Sequence, residues 1–163
     1  MYLAYSCVIF LNVYKNERRS WASVNCSFSR KKCDIDTLIA TLDTSTIIID
    51  AKSGVSGAGR SAKLANHFPE PYDSFKAYSV ASHRHTPEIE QELSLLGDEN
   101  IVLSFTPHLI PMARGILSTC YARLKNGVEA AAVDAAYEEA YAQEYFVRLL
   151  GRGGYPATKA VRG

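Results

Sequence analysis

The sequence predicts a mixed α/β fold of the α+β kind, with a mixed, largely antiparallel sheet and helices on one face. Apolar, β-branched runs at 46–50, 101–105 and 114–124 read as strands. Residues 34–42, 86–97 and the stretch from Val133 to Tyr141 carry apolar side chains at helical spacing. The strands do not alternate with long helices, as a doubly wound parallel sheet would require.

At 163 residues the chain is long enough for one domain with a real core, and 47% apolar and 21% charged residues are ordinary for a globular protein. A net charge of +1 gives no field that would draw in nucleic acid or a membrane surface, so neither partner is expected. Cys7, Cys26, Cys33 and Cys120 lack metal-binding spacing and form no disulfide framework, which fits a reducing, cytoplasmic setting and no metal. The longest apolar run is too short to span a bilayer.

The elements follow in order. Residues 1–14 are apolar and aromatic; Lys15, Arg18, Arg19, Arg30, Lys31 and Lys32 follow, opposed only by Glu17. That order is the reverse of a signal peptide, and no period of 2 or 3.6 is sustained. A basic, aromatic stretch can contact RNA; a poorly ordered or poorly packed extension is the favoured reading. Residues 34–42 form a predicted helix, capped by Asp34 or Asp36, with Leu38 and Leu42 on one face. Residues 46–50 form a strand, and 61–66 a brief helical turn before Pro69 and Pro71. Residues 75–81 form another strand. Thr86 is then the expected N-cap, Pro87 the first helical residue, and Glu88 and Glu90 suit the helix's positive end. Ile89, Leu93 and Leu96 make its apolar stripe and Gly97 stops it. The strand at 101–105 is broken by 106–111, which holds two prolines, before 114–124 resumes as a longer strand. Asn126-Gly127 turns the chain, and Val133, Ala136, Tyr137, Ala140 and Tyr141 share a helix face. Residues 153–163 end without a closing element.

The most suggestive stretch is residues 50–61. The run Ile47-Ile48-Ile49 leads into three glycines and three serines spread over nine residues, flanked by Lys52 and Arg60. Such a loop can turn sharply and offer backbone N–H groups to an anion. Gly54 and Gly59-Arg60-Ser61 match a nucleotide-binding P-loop with arginine in place of its lysine. Gly57, Gly59 and Ala62 match the dinucleotide fingerprint, without the acidic residue that would hold a ribose. The competing reading is a flexible surface turn.

Residues 50–60, the segment from His83 to Gln91, Phe105 to Met112 with Arg114-Gly115, and 153–163 together resemble the N-acetyl-gamma-glutamyl-phosphate reductase family of arginine biosynthesis. The resemblance runs in order from about Thr37 to Gly163. It implies an NADP-dependent reduction of N-acetyl-glutamyl 5-phosphate to N-acetyl-glutamate 5-semialdehyde. It also implies a fold like the C-terminal domain of glyceraldehyde-3-phosphate dehydrogenase-type enzymes. On that footing residues 34–163 are part of the substrate and dimerisation domain, and 1–33 are an unmatched extension, foreign or disordered. The family's Rossmann domain and final stretch have no counterpart here. Its nucleophilic cysteine sits in a Gly-Asn-Pro-Gly-Cys-Tyr-Pro-Thr-like motif. The text near Ser23 to Cys33 does not match that motif, so neither Cys26 nor Cys33 can be given the role by motif.

By resemblance, one of His83 and His85 is the acid/base, and the other caps or packs the helix entry. Ser53, Gly54, Ser56, Gly57, Ala58 and Gly59 would meet the phosphate and nicotinamide sides of NADP, and Arg84 and Arg114 the substrate's anionic groups. A surface or interface ion pair is the alternative for each arginine. His108 is read as structural or interfacial, Cys120 as core. The partners expected are a small-molecule substrate and a second copy of the chain. The isolated chain is expected to be inactive. Two readings compete with the enzyme: a non-catalytic dimerisation or interaction module, and a P-loop-like phosphate binder.

Overall fold

A computed structural model describes residues 3–5, 32–59, 64–67, 69–145 and 147–161. Among the described residues the sheet has five strands in the order β1-β5-β2-β4-β3. These are β1 (Leu3–Tyr5), β2 (Leu42–Ser53), β3 (Lys76–Ala77), β4 (Ser104–Leu109) and β5 (Ile116–Leu124). Only β2 and β4 run parallel; the other three pairings are antiparallel, as predicted. The helices are α1 (Lys32–Ala40), α2 (Thr86–Gly97) and α3 (Ala130–Tyr141). Helix α1 packs against α2 and α3 and touches β2, so the three helices make one layer against the sheet.

Strand β2 organises the sheet because its β-branched run suits a position between two neighbours. It starts earlier than predicted, and Leu42 is its first residue rather than part of α1's face. The helix stops where Thr41 turns back, its N–H and hydroxyl both donating to the Leu38 carbonyl at 3.1 and 2.6 Å. A register shift between Asp43 and Ile48 has a local cause. The Asp43 carboxylate accepts the Ser45 hydroxyl at 2.6 Å, and Thr46 Oγ1 accepts the Arg123 N–H at 2.9 Å where the ladder lacks a partner.

The core lies between α1, α3 and the run into β4. It contains Ile39, Ile101, Leu103, Val133, Ala136 and Ala140, with Ala51 on the sheet. The helix face predicted from Val133, Ala136 and Ala140 is the buried face of α3, and Tyr137 stacks on Tyr141 at 6.2 Å. Side chains of α2 fasten the segment before β4. Ser94 Oγ accepts the Ile101 N–H at 2.9 Å, and Glu90 Oε1 accepts the Leu103 N–H at 3.1 Å. Ser94→Ala is expected to cost about 1 kcal/mol in urea unfolding, because it leaves the amide of nearly fully buried Ile101 unpaired.

Four expectations need correction. Pro107 does not break the strand: Thr106, Pro107, His108 and Leu109 all belong to β4. A residue's N and C=O point the same way in a strand, and Pro107's C=O accepts the Tyr78 N–H at 3.0 Å. Its missing donor therefore faces the side where β3 has already ended at Ala77, and no ladder bond is lost. The strand expected at 75–81 shrinks to β3, with Ser79 and Ala81 at φ of 47° and 55°, outside extended geometry. Thr86 is not the N-cap of α2; His85 is, and Asp98 in the left-handed region, not Gly97, ends the helix. The predicted extension at 1–33 lies mostly outside the described residues; of it, residues 3–5 form the edge strand on β5.

Candidate functional site

The serine-glycine stretch begins on β2 and leaves it at Ser53. A short 3-10 turn, Val55–Ala58, follows. Its amides are not bare. Gly54 N–H donates to Gly115 O at 2.9 Å, Val55 N–H to Met112 O at 2.9 Å and Ser56 N–H to Ala113 O at 3.1 Å. Gly57 and Gly59 donate within the turn, to Gly54 O and Ser56 O. The loop is thus stitched to residues 110–115, and Ile110 N–H returns a bond to Ser53 O at 3.0 Å. An amide cradle for phosphate, the basis of the P-loop reading, is absent from these residues; Arg60 and Ser61 lie outside the described residues. Outward, Ser56, Gly57, Ala58 and Gly59 form an exposed shelf, and nothing lies within 4 Å of a Cβ built at Gly59.

His83 and His85 come together at the entry to α2, with ring centroids 4.8 Å apart and edge-to-face. Their contact comes from a turn rather than from extended backbone: Thr86 N–H donates to His83 O at 3.0 Å. His83 Nδ1 accepts the His85 backbone N–H at 3.2 Å, one residue before the first turn, and no side chain caps the helix. The Thr86 hydroxyl is buried without a hydrogen bond among the described residues. With Nδ1 used as an acceptor, the neutral His83 ring carries its proton on Nε2. Phe105 at 5.3 Å and Tyr78 at 5.5 Å hold the ring edge-to-face. Burial, and then the neighbouring charges of His85 and Arg84, lower the His83 pKa below the ordinary 6.5. Burial raises the Tyr78 pKa, which keeps its phenol protonated. The arrangement offers a neutral Nε2–H donor.

The loop and the histidines share one sheet face. Ser53 faces Leu109 across the β2–β4 ladder, and His83 lies on Phe105, so both sit on the odd-numbered side of β4. Four residues of strand separate these points, roughly 13 Å. The two predicted arginines are divided between them. Arg84 is exposed beside the histidines; Arg114 is exposed on the segment stitched to the loop.

The semialdehyde dehydrogenase dimerisation-domain family matches residues 35–163. The chain belongs to this family. Its sequence is 59% identical over 122 residues to the N-acetyl-gamma-glutamyl-phosphate reductase of Desulforamulus reducens, covering 75% of this chain and 35% of the relative. The reductase of Acetivibrio thermocellus is 57% identical with the same coverage, and that of Geobacter sulfurreducens is 56% identical over 123 residues, 75% of this chain and 36% of the relative. The chain spans about a third of the length of the curated relatives it matches. As a semialdehyde dehydrogenase dimerisation domain, it supplies four of the five strands and most of α1 from within the matched residues. Among the described residues no helix is long and apolar enough to cross a membrane, and no group of three or more His, Cys, Asp or Glu side chains could hold a metal.

Sequence reasoning missed Tyr78 and Phe105, which fix the His83 ring, and a second cluster on the opposite sheet face. There Asp50 Oδ2 lies 2.6 Å from Lys52 Nζ and Asp50 Oδ1 lies 3.0 Å from His108 Nδ1. Strand alternation through residues 104–109 would have found both clusters, with Phe105 on one face and His108 on the other. The two prolines flanking His108 hid it.

Proposed function

We propose that this chain is the substrate-facing and interface-building part of a cytoplasmic NADPH-dependent reductase. That enzyme would convert N-acetyl-glutamyl 5-phosphate to N-acetyl-glutamate 5-semialdehyde in arginine biosynthesis. The observation that carries this is the His83 site, in a region 53–59% identical to curated reductases of that name. In this reading His83, its Nδ1 held by the chain, turns Nε2–H toward the reacting carbonyl. It stabilises negative charge on the oxygen and can pass a proton. His85 shapes that ring's position. Arg84 meets an anionic group of the substrate beside the histidines, and Arg114 one nearer the loop.

NADPH supplies the hydride when bound. The loop amides do not fit its diphosphate, since they are bonded internally. The shelf at Ser53, Gly54, Ser56, Gly57, Ala58 and Gly59 fits the approach of a flat ring, with Gly54 buried beneath it and residues 56–59 open above. In this reading the described loop residues take no part in diphosphate binding, and the isolated chain is inactive. In a phosphate-dependent NADP reduction assay with the semialdehyde, the isolated chain should give no turnover. A chimaera carrying residues 35–163 in place of the matching third of the Desulforamulus reducens reductase should be active. Turnover by the isolated chain, or a folded but dead chimaera, would overturn the proposal.

The family's description as a dimerisation domain favours a second reading, a homo-oligomeric or interaction module that assembles through the sheet. Failure of the chain to self-associate, or to co-migrate with a full-length reductase at any ratio, removes it.

A further inference from the structure

The cluster on the helix-free face crosses the strand pair just before the loop. Asp50 stands three residues before Ser53 on β2, and His108 two residues before Ile110 beyond β4. The ladder aligns Asp50 with Thr106 and Lys52 with His108, so the Asp50–His108 contact is a diagonal tie on one face. Lys52 Nζ clamps Asp50 twice, at its carboxylate and, at 3.3 Å, at its own carbonyl oxygen. The Phe75 ring lies 5.5 Å from His108 and tilted against it, which limits ring rotation. The groups facing His108 are therefore Asp50 and Lys52 from β2 and Phe75 from the segment before β3; Thr119, opposite Asp50 on β5, adds no charge. Asp50 Oδ1 and His108 Nδ1 are both shielded from water, and neither makes a hydrogen bond among the described residues; they meet as an ion-pair contact at 3.0 Å. A bare ring lone pair 3.0 Å from a carboxylate oxygen would be repelled.

We infer that Asp50, clamped by Lys52, holds His108 as its Nδ1–H tautomer, and that this tie positions the serine-glycine loop. Immediately past it, Ser53, Gly54, Val55 and Ser56 exchange four backbone hydrogen bonds with Ile110, Met112, Ala113 and Gly115. The tie fixes β2 against β4 at the point where the two segments leave the sheet, so the bonds form with the loop aimed toward the His83 face. Asp50 and His108 are positioning residues. Their value for coenzyme approach rests on the function proposed above, but the tie itself does not.

The test uses the 163-residue chain. Long-range nitrogen–proton NMR on the wild type should show His108 protonated at Nδ1 and bare at Nε2 above the histidine titration range. In Asp50→Leu that tautomer should be lost. Amide exchange at Gly54, Val55 and Ser56 should quicken about tenfold, with Val133 and Ala136 in α3 unchanged. Asp50→Asn, which keeps an acceptor oxygen, should restore most of the slow exchange. An Nε2–H tautomer in the wild type, unchanged loop exchange, or equal acceleration in loop and α3 would each overturn the inference. If Asp50→Leu does not fold, His108→Leu with the same exchange comparison, together with the wild-type tautomer, decides it.

Discussion

Alanine at Gly54 is expected to destabilise the chain by about 3 kcal/mol, read as a lower urea midpoint at unchanged slope. A Cβ there would stand 2.7 Å from Met112 O and 3.0 Å from Arg114 N. Both are backbone atoms, so no rotamer change relieves the clash; the 110–115 segment has to move. Moving it breaks the bonds that Gly54, Val55 and Ser56 make to Gly115, Met112 and Ala113. Backbone dihedrals are not the reason, since Gly54 sits at φ −71° and ψ 162°, open to any residue. Gly59 is the control. It lies at φ 75° and ψ −162°, which only glycine adopts readily, with nothing within 4 Å, so alanine there costs its strained dihedral alone, about 2 kcal/mol. A smaller loss at Gly54 than at Gly59 would show that the loop is not packed on the 110–115 segment.

The same segment shows what the sequence could and could not reveal. Long apolar runs and helical periodicity are properties of consecutive residues. The central strand at Ile47-Ile48-Ile49, the buried face of α3 at Val133, Ala136 and Ala140, and helix α2 were therefore legible. So was the mixed, largely antiparallel sheet. Pro107 was misread because its effect depends on which edge of β4 its nitrogen meets, and that is set by where β3 ends. The loop's glycines read as a sharp turn offering amides to an anion. Among the described residues those of Gly54, Val55 and Ser56 are bonded to residues 112–115, and nothing local to 50–61 specifies that.

The histidine pair was legible as a pair, and the roles of its members were not. Spacing places His83 and His85 on one side of extended backbone; the chain turns there instead, and the His83 ring receives the His85 amide. One interaction thus fixes both the turn into α2 and the tautomer of the candidate acid/base. With His85 rather than Thr86 at the N-cap position, Thr86 lies inside the first turn, and its hydroxyl is left unpaired. It also singles out His83, whose ring lies against Phe105 and Tyr78.

Removing the His83 ring should have the largest effect on activity. In the chimaera, His83→Ala is expected to lower kcat/KM by about a thousandfold, within the range for loss of a positioned proton donor. His83→Gln keeps an N–H near the position of Nε2 and should recover about tenfold of that loss if hydrogen-bond donation matters. Equal losses would assign the role to proton transfer alone, and a change under tenfold would remove His83 from the chemistry. The same residue leaves a mark on the isolated chain. Its pKa is lowered in the folded state, by burial and then by His85 and Arg84, so below 6.5 the unfolded chain binds the extra proton. Stability from this group is complete above that ordinary value and declines as the pH falls through the folded pKa. Urea midpoints at pH 7.5 and pH 5 should therefore differ, and His83→Gln should shrink the difference while leaving the pH 7.5 ordering of other variants intact. A wild-type midpoint that does not fall with acid, or a His83→Gln variant with the full fall, would mean that the ring protonates as freely folded as unfolded.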